Sequence, residues 1–488
     1  STEQDVAGGG YNHWATAGFF GRLNYNYKEK YLLEVNGRYD GTSRFMKDQR
    51  WNFFPSFSLG WNVARENFWK PLESVVNQFK LRGSWGELGN QNTSNLYPFY
   101  EILPVKSNSG NWLVNGGKTN TADIPSLVST LLTWERVRSF NVGFDFGAFS
   151  NRLTGSFDYF VRKTVDMVGP APQLPLVLGI APAIVNNADM KSYGFEIELS
   201  WRDRIGEVDY GVKFNLADAQ QKVVKYPNTT NAFSDWYAGK MSGEIWGYTS
   251  LGIAKTDEEM KEHLASLPNG GQNQLGNKWG AGDIMYADIN GDGKVDGGKG
   301  TLADPGDQRI IGNSTPRYNF GLVLDASYKG FDVSIFFQGV GKRDYAPIVG
   351  TNGAVFWGAV NNIWQSMAME EHFDYFRPEG HPMGANLNGY YPRPDFTSNK
   401  NHQVQTRYLQ DASYIRLKNL QIGYTLPKQW INKLHINRCR VYVSGDNLWT
   451  GTSLASMFDP ETLAAGDWGS GKTYPLSKVI SFGLNVNF

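Results

Sequence analysis

The sequence has no long apolar run and almost no cysteine. No stretch approaches the roughly 20 consecutive apolar residues that a membrane-spanning helix needs, and the mean hydropathy is −0.43. Cys439 is the only cysteine, so no internal disulfide can form. It lies in phase with Val441 and Val443, as a small apolar side chain on a strand does. These absences exclude a helical membrane protein but not a β-barrel, whose strands are only half apolar.

The sequence also has no excess of charge of one sign and no common catalytic motif. It contains 47 basic and 47 acidic residues, so we expect no nucleic acid as a partner. The six histidines are scattered, and no H-E-x-x-H, G-x-S-x-G or P-loop pattern occurs. The first residues, STEQDVAGGG, have no signal-peptide features, so the sequence reads as though cut from a longer one.

What the sequence does contain is an alternation of apolar and polar residues, the pattern of half-buried β-strands. Glycine accounts for 55 residues and aromatics for 14%, which favours strands, tight turns and interfacial aromatic belts. In Ser477–Phe488 every second residue from Ile480 onward is apolar, and the last is an aromatic that suits a membrane boundary. The same period of two recurs about thirteen times along the chain. We therefore predict an all-β fold.

The connections between these strands alternate in length. They are short after odd-numbered strands and mostly long after even-numbered ones, with long loops near 89–133, 164–189 and 223–316. This pattern predicts an antiparallel transmembrane β-barrel with short periplasmic turns and long extracellular loops, extending over residues 1–488. Single-chain bacterial barrels have even strand numbers, so an odd count predicts that the chain supplies part of a barrel. One helix is expected, over Met260–Leu267.

The polar face of the strands is rich in charge. Glu196 and Glu198 lie two apart on one strand, about 7 Å between Cα atoms, and such a carboxylate pair could serve a glycosidase. Many of the other strands carry charged residues in the same phase. A water-filled lumen therefore explains the pair more simply than catalysis does.

One loop segment has the D-x-N-x-D-G pattern that begins a calcium-binding loop. Alternate oxygens can curl around a hard cation, while Gly293 permits the sharp turn. The twelfth position is Lys299 instead of the usual acid, so a glycine-rich turn without metal is the alternative. The predicted ligands of a structural calcium ion within the segment are Asp288, Asn290, Asp292, the Lys294 carbonyl and, in addition, Asp296.

Aromatic residues in the loops are candidate contacts for substrate or for a partner protein, because aromatic faces stack on sugar rings and on peptide side chains. Packing within the loops is the alternative for each of them. The candidates are Trp112, Trp236, Tyr237, Trp246, Trp279, Trp357, Trp364, Tyr390, Tyr391 and Trp468.

Several segments resemble the SusC-like TonB-dependent transporters, and together they span almost the whole chain. They are GRLNYNYKEKYLLEVNGRYDGTSRF, FKLRGSWGELGNQ, GDIMYADINGDGKVD, IIGNSTPRYNFG, ASYIRLKNLQIGYTLP and VYVSGDNLWT. The resemblance implies a barrel of about 22 strands, a plug domain inside it, and a SusD-like surface lipoprotein as a lid. It also places Asp307 at the calcium-ligand position that Lys299 does not fill. The plug, the TonB-binding segment and the early strands of the family pattern are missing, so we expect a C-terminal barrel portion.

The resemblance implies TonB-dependent import of a large polar nutrient, an oligosaccharide or an oligopeptide, across the bacterial outer membrane. The implied partners are a SusD-like lipoprotein, an N-terminal plug and barrel segment of the same protein, TonB acting through that segment, and outer-membrane lipid. Two alternatives stay open at this stage: a passive porin-like channel of about 14 strands, and a secreted β-rich carbohydrate-binding or carbohydrate-hydrolysing protein.

Overall fold

The computed structural model describes residues 11–93, 95–169, 177, 179–180, 183–347, 354–358, 369–395, 400–432, 435–463 and 473–488. Within this part, thirteen long strands form one antiparallel sheet, in which each strand pairs with the strands that precede and follow it in the chain. The strands are β1 Thr16–Tyr27, β2 Tyr31–Thr42, β3 Trp51–Asn62, β4 Val76–Asn90, β5 Glu135–Ala148, β6 Leu153–Gly169, β7 Val185–Ile205, β8 Val208–Lys225, β9 Arg317–Tyr328, β10 Phe331–Lys342, β11 Tyr414–Thr425, β12 Arg438–Thr452 and β13 Val479–Asn487.

The sheet has one apolar and one polar face, because residues directly opposite each other on neighbouring strands share a face. Phe57, Trp85, Phe140 and Val161 form one such row across β3 to β6. Apolar side chains on this face are exposed, among them Leu59 with 57% of its surface accessible. This is the arrangement of a sheet whose apolar face meets lipid and whose polar face lines a lumen.

The connections confirm the predicted one-sided arrangement. The chain segments at one end of the sheet are 28–30, 63–75, 149–152, 206–207, 329–330 and 426–437. The segments at the other end, which we call the long-loop end, are 43–50, 91–134, 170–184, 226–316, 343–413 and 453–478. The segment 43–50 is short although it lies at the long-loop end, and the segments 63–75 and 426–437 at the opposite end are longer than the short turns predicted there.

The strands β6 and β7 extend further than the sequence pattern predicts. The segment 164–189 was expected to be a loop, but pairing continues to Gly169 on β6 and begins at Val185 on β7. Backbone hydrogen bonds carry the ladder beyond the apolar belt, where alternation is no longer needed. A bulge at Asp166, with φ of 56°, interrupts the ladder and hides the alternation there.

Short elements lie in the connections. Helix α1 covers Asp257–Ala265, and the side chain of Thr256 accepts a hydrogen bond from the Glu259 amide at 3.1 Å, so the helix begins earlier than predicted. The other helices are α2 Ala354–Trp357, α3 Lys428–Ile431 and the 3₁₀ turns Lys47–Gln49, Val63–Arg65, Asn67–Leu72 and Glu370–Phe373. The small strand pairs are Val105–Lys106 with Thr121–Ala122, Leu113–Val114 with Gly117–Lys118, Glu244–Gly247 with Arg309–Asn313, Ser250–Ile253 with Ile284–Tyr286, and Asp344–Tyr345 with Gln410–Asp411. Among the described residues, no helix has the length and apolar character to span a bilayer.

The two end strands of the sheet, β1 and β13, do not pair with each other in the described part of the chain. Each therefore has one open edge, and every residue of β1 is exposed. The antiparallel sheet that the sequence predicts is confirmed, whereas a barrel of about 22 strands stays a prediction.

Candidate functional site

On the polar face, the side chain of Arg82 on β4 reaches across β5 to β6. Its guanidinium donates two hydrogen bonds to Asp158, at 2.8 and 2.9 Å, and two more to Asp145 at the same distances. Gly143 lies on β5, directly opposite both Arg82 and Asp158. A Cβ at Gly143 would lie 2.6 Å from the Asp158 carboxylate, so the absent side chain leaves the space for this contact. We call the arrangement a glycine-spanned ion pair.

A second glycine-spanned ion pair joins β7 to β9. Arg202 and Asp325 both lie directly opposite Gly211 of the intervening strand β8. The guanidinium is 3.8 Å from the Asp325 carboxylate, and a Cβ at Gly211 would lie 2.8 Å from both oxygens of that carboxylate. The same residue types in the same order thus link three consecutive strands a second time.

A third such pair joins β10 to β12 with the charges in reverse order. Asp332 lies opposite Gly423 of β11 and accepts a hydrogen bond of 2.9 Å from Nε of Arg440 on β12. A Cβ at Gly423 would lie 2.6 Å from the same Nε. In three places on the polar wall, β4–β6, β7–β9 and β10–β12, the outer two of three strands are therefore joined by side chains that depend on a glycine between them.

The carboxylates that could have formed a glycosidase pair lie on this same wall. Glu196 is directly opposite Asp158 and Glu198 is directly opposite Asn215. Both side chains are exposed on the polar face instead of being enclosed. Polar residues surround both carboxylates on an open wall, an arrangement that a water-filled lumen explains without catalysis.

Three connections at the long-loop end share one apolar core, which we call the loop core. They are 226–316, 343–413 and 453–478. Aromatic rings dominate it, and Trp357 packs edge-on against Tyr408 with ring centroids 4.8 Å apart. Its buried residues are Tyr248, Leu267, Ile284, Tyr286, Val295, Val355, Phe356, Trp357, Tyr391, Tyr408, Ala412, Leu454, Phe458 and Leu463.

A buried charge cluster joins the two longest of these connections. Asp283, which is fully buried, accepts 2.9 Å hydrogen bonds from the Lys400 ammonium and the Asn401 amide. The Arg393 guanidinium donates two further bonds to it, at 2.9 and 2.7 Å. A carboxylate that is removed from water needs such partners, and here the side-chain donors come from the other loop, while the Gly280 amide of its own loop adds a bond of 2.9 Å.

The third connection is fixed to the wall and to the loop core by two arginines. The Arg416 guanidinium, which is buried, lies 2.8 Å from Asp459 and 2.7 Å from Glu461. Arg343 donates hydrogen bonds to the carbonyls of Pro460 at 3.3 Å and Leu463 at 2.9 Å. The three connections therefore form one packed unit above the polar wall.

Five of the predicted aromatic contacts pack within or against loop structure. Trp357 and Tyr391 are 1% and 2% exposed inside the loop core, and Trp279 and Tyr390 pack against that core. Trp246 stacks on a neighbouring Phe with centroids 4.6 Å apart. Loop packing, the alternative that the sequence left open, accounts for their positions. A substrate would reach Trp357 or Tyr391 only if the core opened.

The remaining candidates are more accessible or lie outside the described residues. Trp112 is 60% exposed beside a small hairpin, and Trp236 is 44% exposed. The Tyr237 hydroxyl donates to Glu244 at 2.5 Å, and burial, with this neighbouring carboxylate, raises the pKa of Tyr237 to about 12. Trp364 and Trp468 lie outside the described part of the chain. Contact of these residues with a substrate or a lid stays a prediction.

The predicted calcium loop curls as its sequence pattern requires. Both oxygens of Asp288 accept backbone N–H groups of the loop, from Gly291 at 2.7 Å and Gly293 at 2.8 Å. Asn290 and Asp292 make similar bonds to amides two residues further along. Gly293 has φ of 81°, which a side chain would disfavour.

Asp307 lies against this loop although it is distant in the sequence. Its carboxylate accepts amide hydrogen bonds from Ile289 at 2.7 Å and Asp296 at 2.8 Å, and burial raises its pKa. The Lys294 ammonium lies 2.5 Å from Asp296 and lowers the pKa of that carboxyl group. All of these oxygens are ligands that suit calcium. Within the described residues, however, no three His, Cys, Asp or Glu side chains converge as metal ligands, so the calcium site stays a prediction.

Comparison with known proteins identifies the family. A family model described as TonB dependent receptor-like, beta-barrel, matches residues 6–448. The chain belongs to this family. TonB-dependent receptors are β-barrel proteins of the outer membrane and are not enzymes, so Glu196 and Glu198 have no catalytic role to fill. The long-loop end of the sheet is accordingly its extracellular end.

Relatives of this receptor cover nearly all of the chain. TonB-dependent receptor P3 of Formosa agariphila is 30% identical over 96% of the chain and 45% of its own length. TonB-dependent receptor SusC of Bacteroides thetaiotaomicron is 24% identical over 96% of the chain and 43% of its own length. The RagAB peptide transporter matches 97% of the chain and 48% of its own with a TM-score of 0.73 at 22% identity, a likeness of fold. The chain therefore spans about half the length of these relatives.

Sequence reasoning missed the residues that hold this receptor's loops and wall together. Asp283 and Lys400 are separated by 117 positions, and no local pattern joins them. Gly143 carried a usable signal, because a glycine inside a strand marks a place where another group approaches closely.

Proposed function

We propose that the chain is the C-terminal barrel portion of a TonB-dependent importer of a large polar nutrient, an oligosaccharide or an oligopeptide. In this proposal an N-terminal segment of the same protein supplies the plug and the early strands, and TonB acts through that segment. A SusD-like lipoprotein covers the extracellular mouth. The membership of the chain in the TonB-dependent receptor family is the observation that carries the proposal.

The open sheet edges support a larger barrel. Each unpaired backbone group in lipid costs several kcal/mol, so a strand with an open edge is strongly unfavourable inside a membrane. Both β1 and β13 have such an edge within the described residues. The coverage of 45% of the P3 receptor is consistent with further strands supplied by the remainder of a longer protein.

A polar wall and a packed set of loops support a large polar substrate. The polar face carries carboxylates such as Glu196 and Glu198 that are exposed and ready to contact water or ligand. The loop core packs the three long loops together above this wall through their own side chains. Preorganised loops lower the entropy lost on binding, which favours capture of scarce nutrients.

Growth of the source bacterium on single nutrients tests the proposal. The gene is deleted, and uptake of oligosaccharides and of oligopeptides is measured with and without TonB. We expect one nutrient class to lose uptake in the deletion strain, and an equal loss when TonB is removed. A passive channel would continue to admit its solutes without TonB and would conduct ions in planar bilayers. A secreted carbohydrate-binding protein would be found in the medium and would stay soluble without detergent.

We also propose that the loop containing Asp288, Asn290, Asp292, Lys294 and Asp296, together with Asp307, binds a structural calcium ion. The oxygen-only donor set and the position of Asp307 beside the loop support it. Calorimetry with the purified receptor is expected to detect calcium binding that Asp288→Asn and Asp292→Asn weaken. The absence of any binding heat at millimolar calcium would refute the proposal.

A further inference from the structure

A straight row of basic side chains crosses four neighbouring strands near the extracellular end of the sheet. Arg138 on β5 is directly opposite Lys163 on β6. Lys163 is directly opposite Lys191 on β7, and Lys191 is directly opposite Lys222 on β8. We call these four residues the basic row. With strands about 4.8 Å apart, it extends about 14 Å along the membrane surface.

The basic row lies on the apolar face, not on the polar wall of the lumen. Residues two apart on a strand share a face, and two positions nearer the middle of the sheet the residues are Phe140, Val161 and Tyr193 on β5 to β7 and the polar Gln220 on β8. Lys191 places its ammonium 5.0 Å from the centroid of the Tyr193 ring. On β5 to β7 the row therefore follows directly outside an apolar and aromatic row, at the height where lipid headgroups begin.

Like charges directly opposite each other on neighbouring strands are destabilising. The basic row therefore destabilises the sheet unless an anion neutralises its positive charge. Glu87 on β4 extends the row and pairs with Arg138 at 2.5 Å. No carboxylate of the described residues comes within 4.0 Å of the ammonium groups of Lys163, Lys191 and Lys222. Lys163 and Lys222 are exposed and Lys191 is half-buried, so all three can be approached from outside.

The opposite end of the sheet is arranged differently. There two cations near the short turns have carboxylate partners within the chain: Arg152 with Asp203 at 3.1 Å and Lys329 with Glu207 at 2.8 Å. Within the described residues, the three lysines of the basic row instead lie directly opposite one another without a carboxylate partner, so a counter-charge can reach them from the extracellular side.

We propose that the basic row binds the phosphate groups of phosphorylated lipid headgroups in the outer leaflet. Lysine ammonium groups bind phosphate as point charges, and each phosphate offers several acceptor oxygens to neighbouring cations. The apolar row beneath would contact the acyl chains of the same lipids. This lipid contact is independent of the substrate and would anchor β5 to β8 at a fixed depth.

The test uses the purified receptor in uncharged detergent with phosphorylated lipid A as the probe, and native mass spectrometry measures binding. The variant is Lys163→Ala/Lys191→Ala/Lys222→Ala. Each lysine near a charged lipid surface contributes about fivefold to affinity, so we expect a loss of about 100-fold. The control variant, Lys28→Ala/Lys70→Ala/Lys213→Ala, removes the same charge elsewhere and should bind as the unmodified protein does. If the first variant does not fold, the three lysines are replaced by glutamine.

The design separates the sources of anion. Lipid A without its phosphates should bind weakly to every variant, and inorganic phosphate alone should bind far more weakly than the lipid. Unchanged lipid binding in the triple variant would overturn the proposal, as would an equal loss in the control. Row-dependent binding of an acidic protein with unchanged lipid binding would overturn it in favour of a protein partner.

Discussion

Replacing Gly143 by alanine should detach Arg82 from Asp158. The added Cβ would lie 2.6 Å from a carboxylate oxygen of Asp158, well inside van der Waals contact. It would also meet the backbone carbonyl of Phe157, which has little freedom to move. The guanidinium bridge would therefore have to shift, and with it the contact between β4 and β6.

The expected loss in the free energy of unfolding is about 3 kcal/mol. Overpacking at a fixed backbone costs about 2 kcal/mol. Loss of the half-exposed pair with Asp158 adds about 1 kcal/mol, a value reduced because water screens the charges. Arg82 keeps its bond to Asp145 in this estimate, so the guanidinium loses only one of its two carboxylate partners.

Urea unfolding of the receptor in phospholipid vesicles, followed by tryptophan fluorescence, measures the effect. Gly83→Ala is the matched control, because a Cβ at Gly83 on β4 meets nothing within 4 Å. It should leave stability within about 0.5 kcal/mol of the original, or raise it slightly by restricting the unfolded chain. A double-mutant cycle of Gly143→Ala with Asp158→Asn should be non-additive. Equal effects of the two glycine substitutions, or strict additivity in the cycle, would refute the reasoning.

Three further predictions concern the loops. Asp283→Ala leaves the buried Lys400 without this carboxylate and should destabilise the loops by about 4 kcal/mol, seen as faster proteolysis of the loops in folded receptor. Burial lowers the pKa of His402 to about 4, so the loop core should be most stable above pH 6.5, and its free energy of unfolding should fall by about 3 kcal/mol as the pH falls to 4. Hydrogen exchange of the loop amides as a function of pH measures this loss. If His402→Phe left the pH dependence unchanged, the prediction would be contradicted. Trp357→Ala should cost about 4 kcal/mol in urea unfolding, whereas Trp112→Ala, at an exposed position, should cost less than about 0.5 kcal/mol, and equal costs would show that the loop core is misassigned.

The sheet could be predicted from the sequence because its information is local. In β13 the alternation from Ile480 to Phe488 reports directly which side chains share a face. Where the strands extend beyond the apolar belt, as β6 does after Thr164, apolar and polar residues no longer need to alternate. The strand predicted from the alternation therefore ends too early. The bulge at Asp166 also breaks the period of two, so no pattern in one strand could reveal its continuation.

The loops could not be predicted because their structure depends on distant contacts. Trp357 and Tyr391 are large aromatics in polar loops, and the sequence alone leaves both surface contact and burial open. These side chains are buried because separate loops pack against one another around them. The basic row is similar: Lys163 and Lys191 each look like ordinary strand residues, and their alignment depends on the register between strands.

The shared charge cluster makes each of the two longest loops dependent on the other for its fold. If one loop were exchanged for that of a relative, Asp283 or its partners would be left in an apolar interior without the opposite charge. Such a hybrid would fold poorly even if each loop alone were compatible with the strands that it joins. New specificity at the mouth would therefore arise by exchange of 226–316 and 343–413 together, or by changes confined to their exposed residues.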